Sequence, residues 1–158
     1  MKKIIFMFLM AALVLFCANA EGIREERAGT GGSMSDITGQ EWKLIEVYID
    51  KKDTQFTRSG QPEELKTIFT IKFDEKTVSG TGAPNQYSAP YTADDNHNIK
   101  IMIVRSTMMA SLFESKNLTE HNFFTYVQNS YSWRFTGERM ELLSKTADGQ
   151  DVRLVFGL

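Results

Sequence analysis

From Gln40 onward the chain alternates apolar and polar residues with a period of two. In "EWKLIEVYI" Trp42 and Leu44 alternate with polar neighbours, the apolar face shifts near Ile45, and Val47 and Ile49 continue it. That pattern predicts a strand with a bulge or twist. "KTIFTIKFD" places Phe69, Ile71 and Phe73 on one face with Ile68 opposed, a second strand, and "KTVSGTG" predicts a short strand after an Asp74-Glu75 turn. "NQYSAPYTA" sets Tyr87, Ala89 and Tyr91 on one face. Pro90 has no N–H for a ladder, so this strand is expected at an edge or around a bulge. "NIKIMIV" alternates Ile99, Ile101 and Ile103 against Lys100 and Met102. Near the C-terminus three alternating runs follow one another: Tyr131, Trp133 and Phe135; Met140 and Leu142; Val152, Leu154 and Phe156. Gly137-Glu138 and Asp148-Gly149 separate them, which predicts a three-stranded meander.

The stretch from Thr107 to Asn129 changes character. Phe123, Phe124 and Val127 have helical spacing, with Thr119 as N-cap. Met108, Met109, Leu112 and Phe113 suggest a shorter helix before it, and Asp50 to Glu64 reads as a long polar loop. The sum is a mainly β chain of about eight strands with one or two helices. Such strands around one apolar face predict a curved antiparallel sheet or small barrel, with the helix over an opening or end.

The N-terminus follows another rule. Lys2 and Lys3 precede an uncharged apolar run, Ile4 to Leu15, and then Ala18 and Ala20. This order predicts a secretory signal peptide over residues 1–20, cleaved before Glu21. A helix of that apolar run would be about 18 Å long, too short for a hydrocarbon core of about 30 Å. Cys17 keeps a second reading open, a lipoprotein tethered through that residue, although bulky Phe16 precedes it. The polar stretch 21–39, with "AGTGGS", is expected to be a flexible linker, and 40–158 a single domain.

Removing Lys2 and Lys3 from 18 basic residues leaves 16 against 20 acidic ones, a net charge of −4. No nucleic-acid partner is expected from that balance. Cleavage after Ala20 would also remove the lone cysteine, Cys17, and with it any disulfide or thiol chemistry.

Candidate chemistry is sparse. Asp94, Asn96 and Asn98 have the D-x-N-x-N spacing of a calcium loop, but Ile99 and Arg105 stand where that loop needs glycine and an acid. A hairpin turn is the expectation. His97 and His121 have no partners at zinc spacing and are expected to be solvated. "SGTG" lacks the lysine and helix of a phosphate loop, and no serine lies in G-x-S-x-G. Asn117 to Thr119 forms a glycosylation sequon. Met102, Met108, Met109 and Phe113 are expected mainly as core. Met-rich surfaces also suit adaptable apolar binding, so Met102, Met108 and Phe113 are candidates for a binding surface. No catalytic, cofactor or metal residues are assigned.

Two motifs carry a family resemblance. Gly80, Asn85, Tyr87 and Tyr91 match positions of G-x-x-G-C-N-x-Y-x-G-x-Y, with Ala83, Pro84 and Ala89 as departures. Thr107-Met108-Met109-Ala110-Ser111 is similar to Thr-x-Met-Ala-Cys. On these residues the domain over 40–158 resembles the META (HslJ-like) domain of bacterial envelope proteins and some parasite proteins. Trp42, the Phe123/Phe124 helix and the terminal "VRLVF" also fit. The resemblance implies a lipocalin-like half barrel with helices packed at it. It also implies an extracytoplasmic protein of envelope stress, secretion or virulence, with no known enzyme activity or cofactor. Both family cysteines are replaced, by Pro84 and Ser111, and the two positions are expected to be neighbours. The functional expectation is a non-enzymatic periplasmic or secreted protein that binds an apolar ligand or protein segment. The alternatives are a lipid-anchored chaperone or pilot, membrane-bound only if Cys17 is lipidated, and an enzyme of unknown class.

Overall fold

A computed structural model of the chain describes residues 32–50, 53–110 and 117–158. The expected leader with Cys17 lies outside the described residues, and so do Ser111, Leu112 and Phe113. Ten strands among the described residues form one antiparallel sheet. They are β1 (Glu41–Ile49), β2 (Asp53–Thr57), β3 (Thr70–Phe73), β4 (Thr77–Thr81), β5 (Gln86–Ala93), β6 (Ile99–Ile101), β7 (Arg105–Ser106), β8 (Ser132–Phe135), β9 (Met140–Lys145) and β10 (Asp151–Gly157). The order is β6-β5-β4-β3-β1-β10-β9-β8, with β2 beside β1 and β7 beside β5.

The two ends of this path meet. The Ile99 amide donates to the Tyr131 carbonyl and the Trp133 amide to the His97 carbonyl, so β6 and β8 touch at one end. The sheet is thereby a nearly closed barrel. Helix α2 (Glu120–Gln128) covers the gap where they part. The Ser144 hydroxyl donates to the Tyr126 carbonyl, and Asn129 Nδ2 to the Lys145 carbonyl. Thr119 caps the helix as its spacing predicts, accepting the Asn122 amide at 3.1 Å.

Inward residues of both sheet halves and of α2 fill the interior. Phe123 is fully buried and sits 5.0 Å from Phe69 and 5.8 Å from Tyr87, ring to ring. Phe73 meets Tyr91 edge-on at 5.2 Å. Each such side chain contributes roughly 1.5–3 kcal/mol by leaving water. The strands predicted from alternation supply these rings.

Bulges set the register, including one in the β1–β2 pairing between Val47 and Tyr48. In β1 the pairing with β10 shifts between Leu44 and Glu46, at the face change predicted near Ile45. In β5 the pairing moves from Tyr91↔Ile101 to Ser88↔Arg105. Two residues of β5 therefore face three of the partner, Met102, Ile103 and Val104. The Tyr91 amide donates to the carbonyl of Lys76, just before β4, so the neighbouring Pro90 nitrogen points toward β6 and β7. Its missing donor falls at this bulge, which is where a proline is tolerated inside a sheet.

The structure corrects several expectations. The stretch read as linker contains α1 (Met34–Ile37), and the folded part starts before Gln40. Ile37 is fully buried, and its carbonyl accepts the Trp42 indole N–H at 2.9 Å. The "polar loop" 50–64 contains β2 and leads into a 3-10 turn, Glu63–Thr67. Its apolar Phe56 and the turn's Leu65 are buried. Arg58 fills the space between β2 and β3, donating to the carbonyls of Leu44, Leu65 and Ile68. Burial lowers its pKa from the usual arginine value. Ile103 does not continue the inward face of β6, because the extra residue of the bulge turns it out to 74% exposure. Met108 and Met109 lie outside any helix or strand, and both are exposed. His97 is half-buried rather than solvated, with its ring 4.5 Å from that of Trp133.

Candidate functional site

The corner that follows β4 is tightly fitted. A Cβ on Gly80 would lie 2.1 Å from the Thr70 carbonyl oxygen and 2.9 Å from the Tyr87 ring. On Gly82 it would lie 2.5 Å from Glu120 Oε1 and 2.6 Å from Phe124. Absence of a side chain at both positions lets the backbone approach this closely. After Gly82 the chain turns through Ala83 and Pro84, joined by a cis peptide bond, into Asn85.

Asn85 is 5% exposed and uses its whole hydrogen-bonding capacity. Its Nδ2 donates to Glu120 Oε2 at 2.6 Å and to the Met109 carbonyl at 3.0 Å. Its Oδ1 accepts the Met109 amide at 2.7 Å and the Thr107 hydroxyl at 2.8 Å. Glu120, in the first turn of α2, accepts the amides of Ala83 and Asn85 through Oε1. The two sequence motifs and the helix start are thus one polar latch. The corner's backbone is held by Glu120, while the Asn85 side chain holds the Thr107–Met109 segment.

Other motif residues brace the same region. The Tyr87 hydroxyl donates to the Thr70 carbonyl at 2.9 Å, and that of Tyr91 to the Asp74 carbonyl at 2.8 Å. Burial pushes the Tyr87 phenol well above its ordinary pKa of 10. It also raises that of Tyr91, with Asp74 adding to the effect. Ala110 is exposed. Ser111, expected beside Pro84, lies outside the described residues.

The Asp94 run is a turn. Asp94 Oδ1 accepts the amides of Asn96 and Asn98, and Oδ2 accepts Asn98 Nδ2. These bonds, that of the Asn98 side chain first, lower the Asp94 pKa. Among the described residues no group of three or more His, Cys, Asp or Glu is placed to hold a metal ion. No helix among them is long and apolar enough to cross a membrane.

Concavity lies elsewhere, on the outer face at the Pro90 bulge. A cavity of about 780 Å³ is lined by Thr77, Ser88, Pro90, Lys100, Ile101, Met102, Ile103 and Arg105 on the sheet, and by Gln128 and Asn129 at the end of α2. Of the three residues expected to form an apolar binding surface, Met102 lines this groove. Met108, 99% exposed, is not among its walls, and Phe113 is outside the described residues. Sequence reasoning missed Glu120 and the outward turn of Ile103, while the bulge expected at Pro90 is present. The signals were a carboxylate just after an N-cap, and a proline opposite an unbroken Ile-x-Ile-x-Ile run.

A nearly closed antiparallel barrel, with an asparagine latch joining its corner to a covering helix, defines a small β-barrel module. The META domain family model matches residues 35–156, and the chain belongs to that family. Two solved structures are similar in fold. A DUF4847 family protein from Bacteroides vulgatus ATCC 8482 is 12% identical with a TM-score of 0.54, over 80% of this chain and 96% of that one. A protein from Burkholderia xenovorans is 14% identical with a TM-score of 0.52, over 77% of this chain and 82% of that one. No functionally curated protein matches the sequence.

Proposed function

We propose that this META domain is a non-enzymatic, extracytoplasmic binding module that holds an apolar ligand or protein segment in the groove beside Pro90. The observation that carries this reading is the exposed Met102–Ile103 bulge forming the wall of a concavity that α2 closes at its far end. Pro90, on the exposed face of β5, lies opposite the bulge, so the apolar wall sits at a defined irregularity of the sheet. The latch supports the non-enzymatic part: the amide of Asn85 is fully engaged, and the Glu120 carboxylate is occupied by three N–H donors. The extracytoplasmic part rests on the basic, apolar and small-residue order of residues 1–20.

Titration with the neutral fluorophore N-phenyl-1-naphthylamine tests the groove. Saturable enhancement is expected, and Ile103→Asp should abolish it without unfolding an already exposed position. Equal binding by both proteins would contradict the assignment. Mass spectrometry of the exported protein tests location: Glu21 at the N-terminus supports a soluble form, a lipid on Cys17 the anchored one.

A further inference from the structure

We infer that the groove takes a single-chain amphiphile with an anionic head, of the fatty-acid type. This rests on the groove reading above and names its ligand class. Lys100 and Arg105 bracket the bulge in the run Lys-Ile-Met-Ile-Val-Arg and both line the cavity. The ion pairs among the described residues are Lys66–Glu63, Lys72–Asp74, Lys145–Asp151 and Arg153–Glu141, so neither bracketing cation has a carboxylate partner there. No acidic residue lines the cavity, although the chain as a whole has net charge −2. An acidic protein thus presents a locally cationic rim over an apolar floor.

Met102, Ile103, Met108 and Met109 are four of the six exposed large hydrophobic residues described. Met102 and Ile103 line the groove between Lys100 and Arg105, so apolar surface and positive charge coincide there. A cavity of about 780 Å³ is within the usual range for a small-molecule site. The edge is poorly suited to a peptide added as a strand. The Ile99 amide is already taken by Tyr131 and the Val104 amide by Gln128. Four residues lie between them, and the Met102 amide is bonded to the Pro90 carbonyl, which leaves fewer than a typical strand of five or six residues. An alkyl chain needs no backbone ladder. It would lie along Met102 and Ile103 with its carboxylate beside Lys100 and Arg105, where charge-assisted hydrogen bonds favour an acid over an alcohol.

Displacement of bound N-phenyl-1-naphthylamine from the full chain tests this, with dodecanoate, dodecanol and dodecyltrimethylammonium each kept below its micelle-forming concentration. Dodecanoate is expected to displace the probe at roughly ten-fold lower concentration than dodecanol, about 1.4 kcal/mol. The cationic analogue should be weaker than either. Lys100→Gln with Arg105→Gln should bring the acid to the level of the alcohol while leaving dodecanol unchanged. Equal displacement by acid and alcohol would overturn the anionic-head inference and leave the groove reading standing. Displacement that is insensitive to Ile103→Asp would overturn both. Stronger displacement by a short acidic peptide than by dodecanoate would replace the amphiphile with a protein segment.

Discussion

Replacing Asn85 with alanine removes four hydrogen bonds at once: two to the Met109 backbone, one from the Thr107 hydroxyl and one to the Glu120 carboxylate. A neutral bond contributes about 1 kcal/mol net, and one to a charged group about 1.5–3 kcal/mol. Simple addition gives about 5 kcal/mol, an upper bound, because Thr107 and Met109 are exposed and water recovers part of their bonding. The expected loss is therefore about 3 kcal/mol, a large fraction of the 5–15 kcal/mol typical of a domain. Urea unfolding at constant m-value measures it. A double-mutant cycle with Glu120→Gln should show coupling of at least about 0.5 kcal/mol, since the two side chains share one network. A loss below about 1 kcal/mol, or strict additivity with Glu120→Gln, would refute the latch.

Further outcomes follow from the same geometry. Gly80→Ala drives a Cβ into the Thr70 carbonyl and should destabilise by about 3 kcal/mol or more; a melting temperature within about 2 °C of wild type would contradict the close approach. Arg58→Lys cannot reach the carbonyls of Leu44, Leu65 and Ile68 together, so a loss of about 2 kcal/mol in urea unfolding is expected. Tyr87→Phe should lose about 1 kcal/mol near neutrality. Buried Tyr87 keeps its proton above pH 10 while the unfolded chain releases it, so the native advantage is full below about pH 10 and falls as pH rises beyond it. The mutant should show a shallower alkaline loss in unfolding curves, with Tyr48, Tyr91 and Tyr126, whose values are also raised, still contributing. Asp94→Ala should leave the barrel folded and speed hydrogen exchange at the Asn96 and Asn98 amides; unchanged exchange would count against the turn.

The architecture was legible wherever alternation reports burial on one face. Trp42 and Leu44, Tyr87 to Tyr91, and Trp133, Met140, Leu142, Val152, Leu154 and Phe156 of the meander lie as their period requires, whereas Tyr131 is exposed just before β8, and Thr119 marks the helix start. The polar stretches misled, because one anchored residue is enough to fix a short segment. Ile37 ties α1 to Trp42, Phe56 buries β2, and neither has a periodic neighbour to announce it. Ile103 was misplaced because a bulge adds one residue and inverts every later face. The motif residues were legible as a set, but their joint role was not. Asn85 and Glu120 are 35 positions apart, and no local spacing connects a corner to the helix that closes the barrel above it. Met102, named from the sequence, lines the groove, whereas the placing of Lys100 and Arg105 on either side of it depends on the Pro90 bulge.

Backbone amide chemical shifts during a dodecanoate titration test the central claim, that the family motif holds the fold while the Pro90 groove binds. Progressive, saturable shifts are predicted at Ile101 to Arg105 and at Gln128 and Asn129, with Asn85 and Glu120 unmoved. Shifts centred on Asn85, Met109 and Glu120, with the groove silent, would contradict the account.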